Sequence, residues 1–196
     1  MSTARLPAPE RRKQLLDVAV GVFGGRGYHN ASMNDVATAA GITKPVLYQH
    51  FASKRDLYSA LLEAVGAQLI ARISEAVSQA SRPKEMVDLG FAAWFRFVAE
   101  EPAAFALLYS GESRQDPEFS EQAARVESRI ADTIVGLLDI PGLDTEHRQL
   151  LAHGIMGISE AVTRTWLNSG AVTDRDELAR TTAALAWYGL RGAGAD

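Results

Sequence analysis

The residues best equipped for chemistry lie in one short run: Thr43, Lys44, Pro45, Val46, Tyr48, Gln49 and His50. The run holds an ammonium, a carboxamide, a phenol and an imidazole, and no carboxylate. Such groups recognise acceptor surfaces rather than make or break bonds. A Lys can read guanine O6 and N7, and a Gln can pair with adenine. Pro or Val can touch a thymine methyl, and Tyr and His can pin phosphates. His50 serves equally well as a structural hydrogen-bonder.

Three short helix starts must position that run. Ser32 with Asp35 is a capping-box pattern, opening a helix through Val36, Ala37 and Ala40 that Gly41 closes. Thr43 is placed to cap the next helix, with Pro45 in its first turn. Ser53 with Asp56 repeats the box and opens a long helix through Leu57, Leu61, Leu62, Val65, Leu69 and Ile73. Helix, glycine turn and second helix at this spacing form a helix-turn-helix signature. Leu47 and Phe51, four apart, anchor the second helix and leave Lys44, Tyr48, Gln49 and His50 for DNA.

Ahead of these, a helix opens after Pro7 and Pro9 and is expected to stop at Gly24-Gly25-Arg26-Gly27. Beyond residue 80 five further helices are predicted. They start at Pro83, around Phe105, along Phe119 to Leu137, from about Asp144 to Ser169, and from a Thr173/Asp176 box. No segment alternates with period two, so the chain reads as all-α. A helix-turn-helix segment over 1–55 precedes a helical bundle over 56–196.

Charge divides the same way. Residues 1–60 carry eight Lys/Arg against four acids, leaving twelve against twenty in the remainder. A basic head on an acidic body suits phosphate binding at one end only. There is no cysteine, and no run long or apolar enough for a signal peptide or a membrane span. A cytoplasmic protein with no membrane attachment is expected.

Catalytic alternatives fit poorly. The four histidines, His29, His50, His147 and His153, lack metal-ligand spacing. Ser110-Gly-Glu-Ser113 is no nucleophile elbow, and the glycines from Gly189 to Gly194 read as a tail, not a phosphate loop. Neither an enzyme nor a cofactor is expected. The competing reading is a helical-bundle small-molecule binder or enzyme whose basic head docks a protein partner.

Arg-Gly-Tyr at 26–28, Ser-Met-Asn-Asp-Val-Ala at 32–37, residues 40–51 and Ser-Lys-Arg-Asp-Leu-Tyr at 53–58 together resemble the TetR family of bacterial regulators. Within it, the head is similar to an actinobacterial subgroup that includes a regulator of fatty-acid synthesis responding to long-chain acyl-CoA. The resemblance implies a nine-helix, Ω-shaped homodimer on a double-stranded DNA operator, most often acting as a repressor. It implies a four-helix interface from the last two helices and an inducer pocket in each body. It also implies that Ser32 and Lys54 hold phosphates.

The pocket segment then covers Trp94, Phe97, Phe105 and Tyr109, each of which is also a natural core residue. An acyl-CoA or another hydrophobic molecule is the implied effector. Gly154, Gly157 and Ala161, with Trp187 and Tyr188 beside them, fit a dimer seam, with tight packing inside one chain as the lesser alternative.

Overall fold

The computed structural model describes residues 7–109, 117, 119–138, 142–169 and 174–192. Among them no strand occurs, and the helices follow the expected order. They are α1 (Ala8–Asn30), α2 (Met33–Ala39), α3 (Lys44–His50), α4 (Lys54–Val77) and α5 (Pro83–Glu100), then α6 (Pro102–Tyr109), α7 (Ser120–Leu137), α8 (Thr145–Ser169) and α9 (Arg175–Gly192). Packing groups the chain into two compact units. One comprises Met1–Val65 and Ala103–Ala124, the other Gly66–Pro102 and Arg125–Asp196. The groups do not follow chain order, so a division at residue 55 is a functional proposal and not a packing boundary.

The first unit is built around aromatic side chains. Tyr28 lies 4.9 Å from Tyr58 and 4.5 Å from Phe119, centroid to centroid, and Phe23 meets Tyr58 edge-on at 5.3 Å. Offset and edge-on pairs of this kind add to the burial of the rings themselves. Leu15, Leu47, Leu57, Leu61 and Leu62 complete a core from which water is excluded.

Helix α1 does not stop at Gly24-Gly25. It leaves helical geometry only at Gly27 (φ 75, ψ 166), a conformation open essentially to glycine, and resumes to Asn30. Gly24 has a different task. A Cβ there would lie 2.7 Å from the Ala103 Cβ and 2.8 Å from the Ala103 carbonyl oxygen. Gly24→Ala therefore sets a helix-propensity gain of about 1 kcal/mol against an overpacking cost of about 1–3 kcal/mol. Because one clashing atom is backbone, the cost prevails, and chemical denaturation is expected to show a net loss. A variant as stable as the parent would mean that α6 yields freely.

The second unit has its own apolar interior. Phe91, Trp94, Phe95 and Val98 of α5 are buried in it with Ile130 of α7 and Ala152 of α8. Helix α7 keeps the single stripe its spacing predicts: Phe119, Ala123, Val126 and Ile130 are buried along it, the first two within the first unit.

Helix starts are partly as expected. Asp144 caps α8, accepting from the His147 N–H at 2.9 Å. At α9 the cap is Asp174, accepting from the Glu177 N–H at 3.3 Å, whereas the expected cap Thr173 lies outside the described residues. Ser110–Ser113, Pro141 and Gly170 also lie outside them. The glycine-rich end is not simply a tail, because α9 continues to Gly192.

The exposed Asp144 carboxylate also meets His147 Nδ1 at 2.8 Å, and this hydrogen bond and charge raise the imidazole above its ordinary 6.5. A raised folded value means that the pair stabilises below the unfolded pKa and fades as pH rises through the folded one. Proton NMR should place the His147 midpoint above 6.5, and Asp144→Asn, which keeps the cap, should lower it. A midpoint unmoved by that change would remove the pair.

Candidate functional site

The helix-turn-helix is assembled from local bonds. Ser32 Oγ accepts from the Asp35 N–H at 3.2 Å, and the Asp35 carboxylate accepts from the Ser32 N–H at 2.9 Å. The Ser32 hydroxyl bond, helped by the Arg26 guanidinium at 2.7 Å, holds the Asp35 carboxyl below its ordinary range. The carboxylate's share of the box is therefore present above the unfolded pKa and fades as pH falls through the lowered folded one. Gly41 then turns the chain with φ 64, in the left-handed region.

At α3 the geometry corrects one expectation. Thr43 occupies the N-cap position but makes no side-chain cap bond. An N-cap side chain serves the N–H groups two or three residues on. Pro45 has none to offer, and the Val46 N–H is already taken by the Thr43 carbonyl at 3.0 Å. The Thr43 hydroxyl thus has no intrahelical task.

Leu47 and Phe51 are buried at 0% and 1% exposure and fasten α3 to the unit. Thr43, Lys44, Pro45, Tyr48 and Gln49 face outward, and Val46 and His50 are half-buried. Lys44 Nζ stands 5.9 Å from the Tyr48 ring centre, so these two side chains share one surface. Ser32 is exposed at the start of α2, although its hydroxyl is engaged with Asp35. Lys54 is less free than the sequence implied. Its ammonium sits 4.3 Å over the Tyr28 ring and donates to the His29 carbonyl at 3.4 Å, tying the end of α1 to the start of α4.

Two cations beside this surface escaped the sequence reading. Arg12 lies 4.5 Å over the Phe51 ring at the end of α3, and Arg26 pairs with Asp35. The 26–35 pair joins residues nine apart across a turn, and Arg12 lies far from Phe51 in sequence, so neither contact leaves a periodic signal.

The second unit contains a cavity of about 590 Å³. Ile73 and Val77 of α4, Phe91 and Trp94 of α5, and Ile130 and Ile134 of α7 form much of its wall. Of the four aromatics named for a pocket, Trp94 lines this cavity, with its indole N–H on Thr163 Oγ1 at 2.9 Å. Phe97 does not line it. It is 1% exposed, and the Arg72 guanidinium lies 5.4 Å from its ring. Phe105 and Tyr109 belong to the first unit, where they stack on each other at 4.9 Å.

The residues named for a seam also separate. Gly154, Gly157 and Ala161 are exposed on α8, and Tyr188 is 71% exposed on α9. Trp187 instead turns inward and joins the cavity wall. Among the described residues, no group of three or more metal-capable side chains gathers, and no helix is long and apolar enough to cross a membrane.

Comparison with known proteins agrees with this arrangement. Residues 15–61 match the model for bacterial regulatory proteins of the tetR family. Residues 83–189 match that for a tetracyclin repressor-like C-terminal domain. The chain is 33% identical over 187 residues to the HTH-type transcriptional activator FasR of Mycolicibacterium smegmatis, spanning 95% of this chain and 85% of that one. It is 34% identical over 113 residues to the HTH-type transcriptional repressor KstR2 of Mycobacterium tuberculosis, covering 56% of each. A TetR-like regulator from Rhodococcus sp. RHA1 superposes with a TM-score of 0.74 at 30% identity, over 96% of this chain and all of that one. Bacillus subtilis FadR, solved with stearoyl-CoA, shares the fold with a TM-score of 0.78 at 21% identity, over 89% and 96% of the chains.

Proposed function

Because the chain belongs to the TetR family of bacterial regulatory proteins, a class of ligand-responsive transcriptional regulators, we propose that it grips a near-palindromic operator as a homodimer and is released by a hydrophobic or acyl-type effector. The observation that carries this reading is the α3 face: donors and small apolar groups turned outward on a helix held by buried Leu47 and Phe51. Thr43, Lys44, Pro45, Val46 and Gln49 would meet base edges, and Ser32, Tyr48, His50 and Lys54 would meet phosphates. In the gripping state the two recognition helices stand about 34–36 Å apart, one turn of DNA.

The cavity of the second unit is the effector site in this reading, its apolar wall suiting a chain-like ligand. Helix α4 supplies Lys54, seated on Tyr28 at the end of α1, and Ile73 and Val77 to the cavity wall. A ligand favouring one setting of α4 thereby biases the DNA-competent state, provided that it binds the two states unequally. Association runs through the exposed faces of α8 and α9. The working compartment is the cytoplasm, with the chromosome.

Control is read as repression by occlusion. Likeness to a protein named an activator over nearly the whole chain makes the opposite sign the competing outcome of a promoter fusion. The primary test incubates the purified protein with sheared DNA of its own genome, sequences what is retained, and repeats at higher salt. A short inverted repeat that survives moderate salt supports the reading. Retention that vanishes with salt and shares no sequence is phosphate charge alone, and the protein-docking alternative replaces it.

A further inference from the structure

The cavity wall is largely apolar, and its polar side chains are Trp94, Ser159, Trp187 and Arg191. Ser159 lines the cavity, but its hydroxyl donates to the Ile155 carbonyl at 2.8 Å. The Trp94 N–H is likewise committed to Thr163. Trp187 and Arg191 remain, both in the wall, four residues apart and so on the same side of α9. Among the described residues neither the Trp187 indole N–H nor the Arg191 guanidinium has a hydrogen-bond or ion-pair partner. Arg191 is exposed and Trp187 half-buried, so both stand where the wall meets water.

Two donors with no acceptor between them select for an acceptor in the ligand, and a guanidinium selects for an anionic one. The rest of the wall offers only dispersion and burial to its occupant. A carbon group takes about the room of a water molecule, roughly 30 Å³, so a sixteen-carbon chain fits the cavity. A polyphosphate head would meet Arg191 as the single cation of the wall.

We propose that the cavity takes a long-chain monocarboxylate, with the carboxylate on Arg191 and the Trp187 N–H and the chain running toward Phe91, Ile130 and Ile73. The assignment rests on the reading of this cavity as the effector site. It narrows that reading from any hydrophobic molecule to a free acid.

Tryptophan fluorescence titration of the full chain with hexadecanoate, hexadecanol and hexadecanoyl-CoA tests it. Hexadecanoate is expected to bind at least about tenfold more tightly than hexadecanol, the contribution of one charge-assisted contact. Arg191→Gln should remove that preference and leave hexadecanol unchanged, and Arg191→Lys should restore part of it. Trp187→Phe keeps the ring and should weaken hexadecanoate several-fold. Arg191 also lies in the last turn of α9, where a cation suits the helix dipole. That role alone predicts a lower melting temperature for Arg191→Gln with all three probes bound as before.

Equal binding of hexadecanoate and hexadecanol, tighter binding of the coenzyme A ester, or no binding of any probe overturns the proposal. Operator retention is measured separately with and without hexadecanoate. Arg191-dependent binding that leaves operator affinity unchanged keeps this assignment and overturns the coupling. Genomic retention of an operator with no probe bound overturns this assignment and keeps the DNA-binding part of the reading.

Discussion

Tyr48→Ala is expected to lower operator affinity about tenfold, and at most about a hundredfold, while the protein stays folded. Tyr48 is 43% exposed, so its truncation removes little from the core. It would remove a phenolic contact to the operator and the ring beneath Lys44, 5.9 Å from that ammonium. Tyr48→Phe separates the two effects, because it keeps the ring and loses only the hydroxyl. Lys44→Ala removes a base-edge contact and should cost about 1–3 kcal/mol of operator affinity and relax specificity at one position of the site. Leu47→Ala is the opposite control. With 0% exposure, it should cost about 2–5 kcal/mol of stability and reduce DNA binding only by unfolding. Unchanged operator affinity in Tyr48→Ala would move the recognition surface off α3.

The helix-turn-helix was legible from sequence because its determinants are local. Ser32 and Asp35 bond across three residues, and Gly41 adopts the positive φ that its place in the turn requires. Where a local rule met a second local fact, it failed: Thr43 sits at the cap, but Pro45 has removed the N–H it would have bound. Gly24 was misread for a longer-range reason, since its partner Ala103 lies in another helix.

The cavity was the least legible part. Trp94 and Phe97 are three apart on α5 and both buried, yet one lines the cavity while the other lies beneath Arg72. Which neighbour each ring meets is set by the placement of other helices. Trp187 and Tyr188 show the same limit at one step, about 100° around a helix. The first faces the cavity and the second is 71% exposed.

Leu185→Glu is expected to give a monomer that still folds but binds the operator roughly a hundred- to ten-thousandfold more weakly, the loss of a linked second contact. Leu185 is 63% exposed on α9, close to Tyr188 on the same helix, so a carboxylate there costs the single chain little. The glycines of α8 point the same way. A Cβ on Gly154 or Gly157 would find nothing within 4 Å, so no close approach within the chain calls for a glycine. Each still costs about 1 kcal/mol of helix propensity relative to alanine. A partner helix crossing closely at that stripe gives the cost a reason, and Gly157→Leu should then impair association while helix content holds. Light scattering after size exclusion reads the mass, and a fluorescent operator titration reads the grip. If Leu185→Glu stays dimeric, the seam lies on another face. If it turns monomeric with operator affinity intact, one recognition helix suffices and the paired grip is wrong. Monomer and weakened grip together tie the α8 and α9 faces to DNA binding through the spacing of two heads.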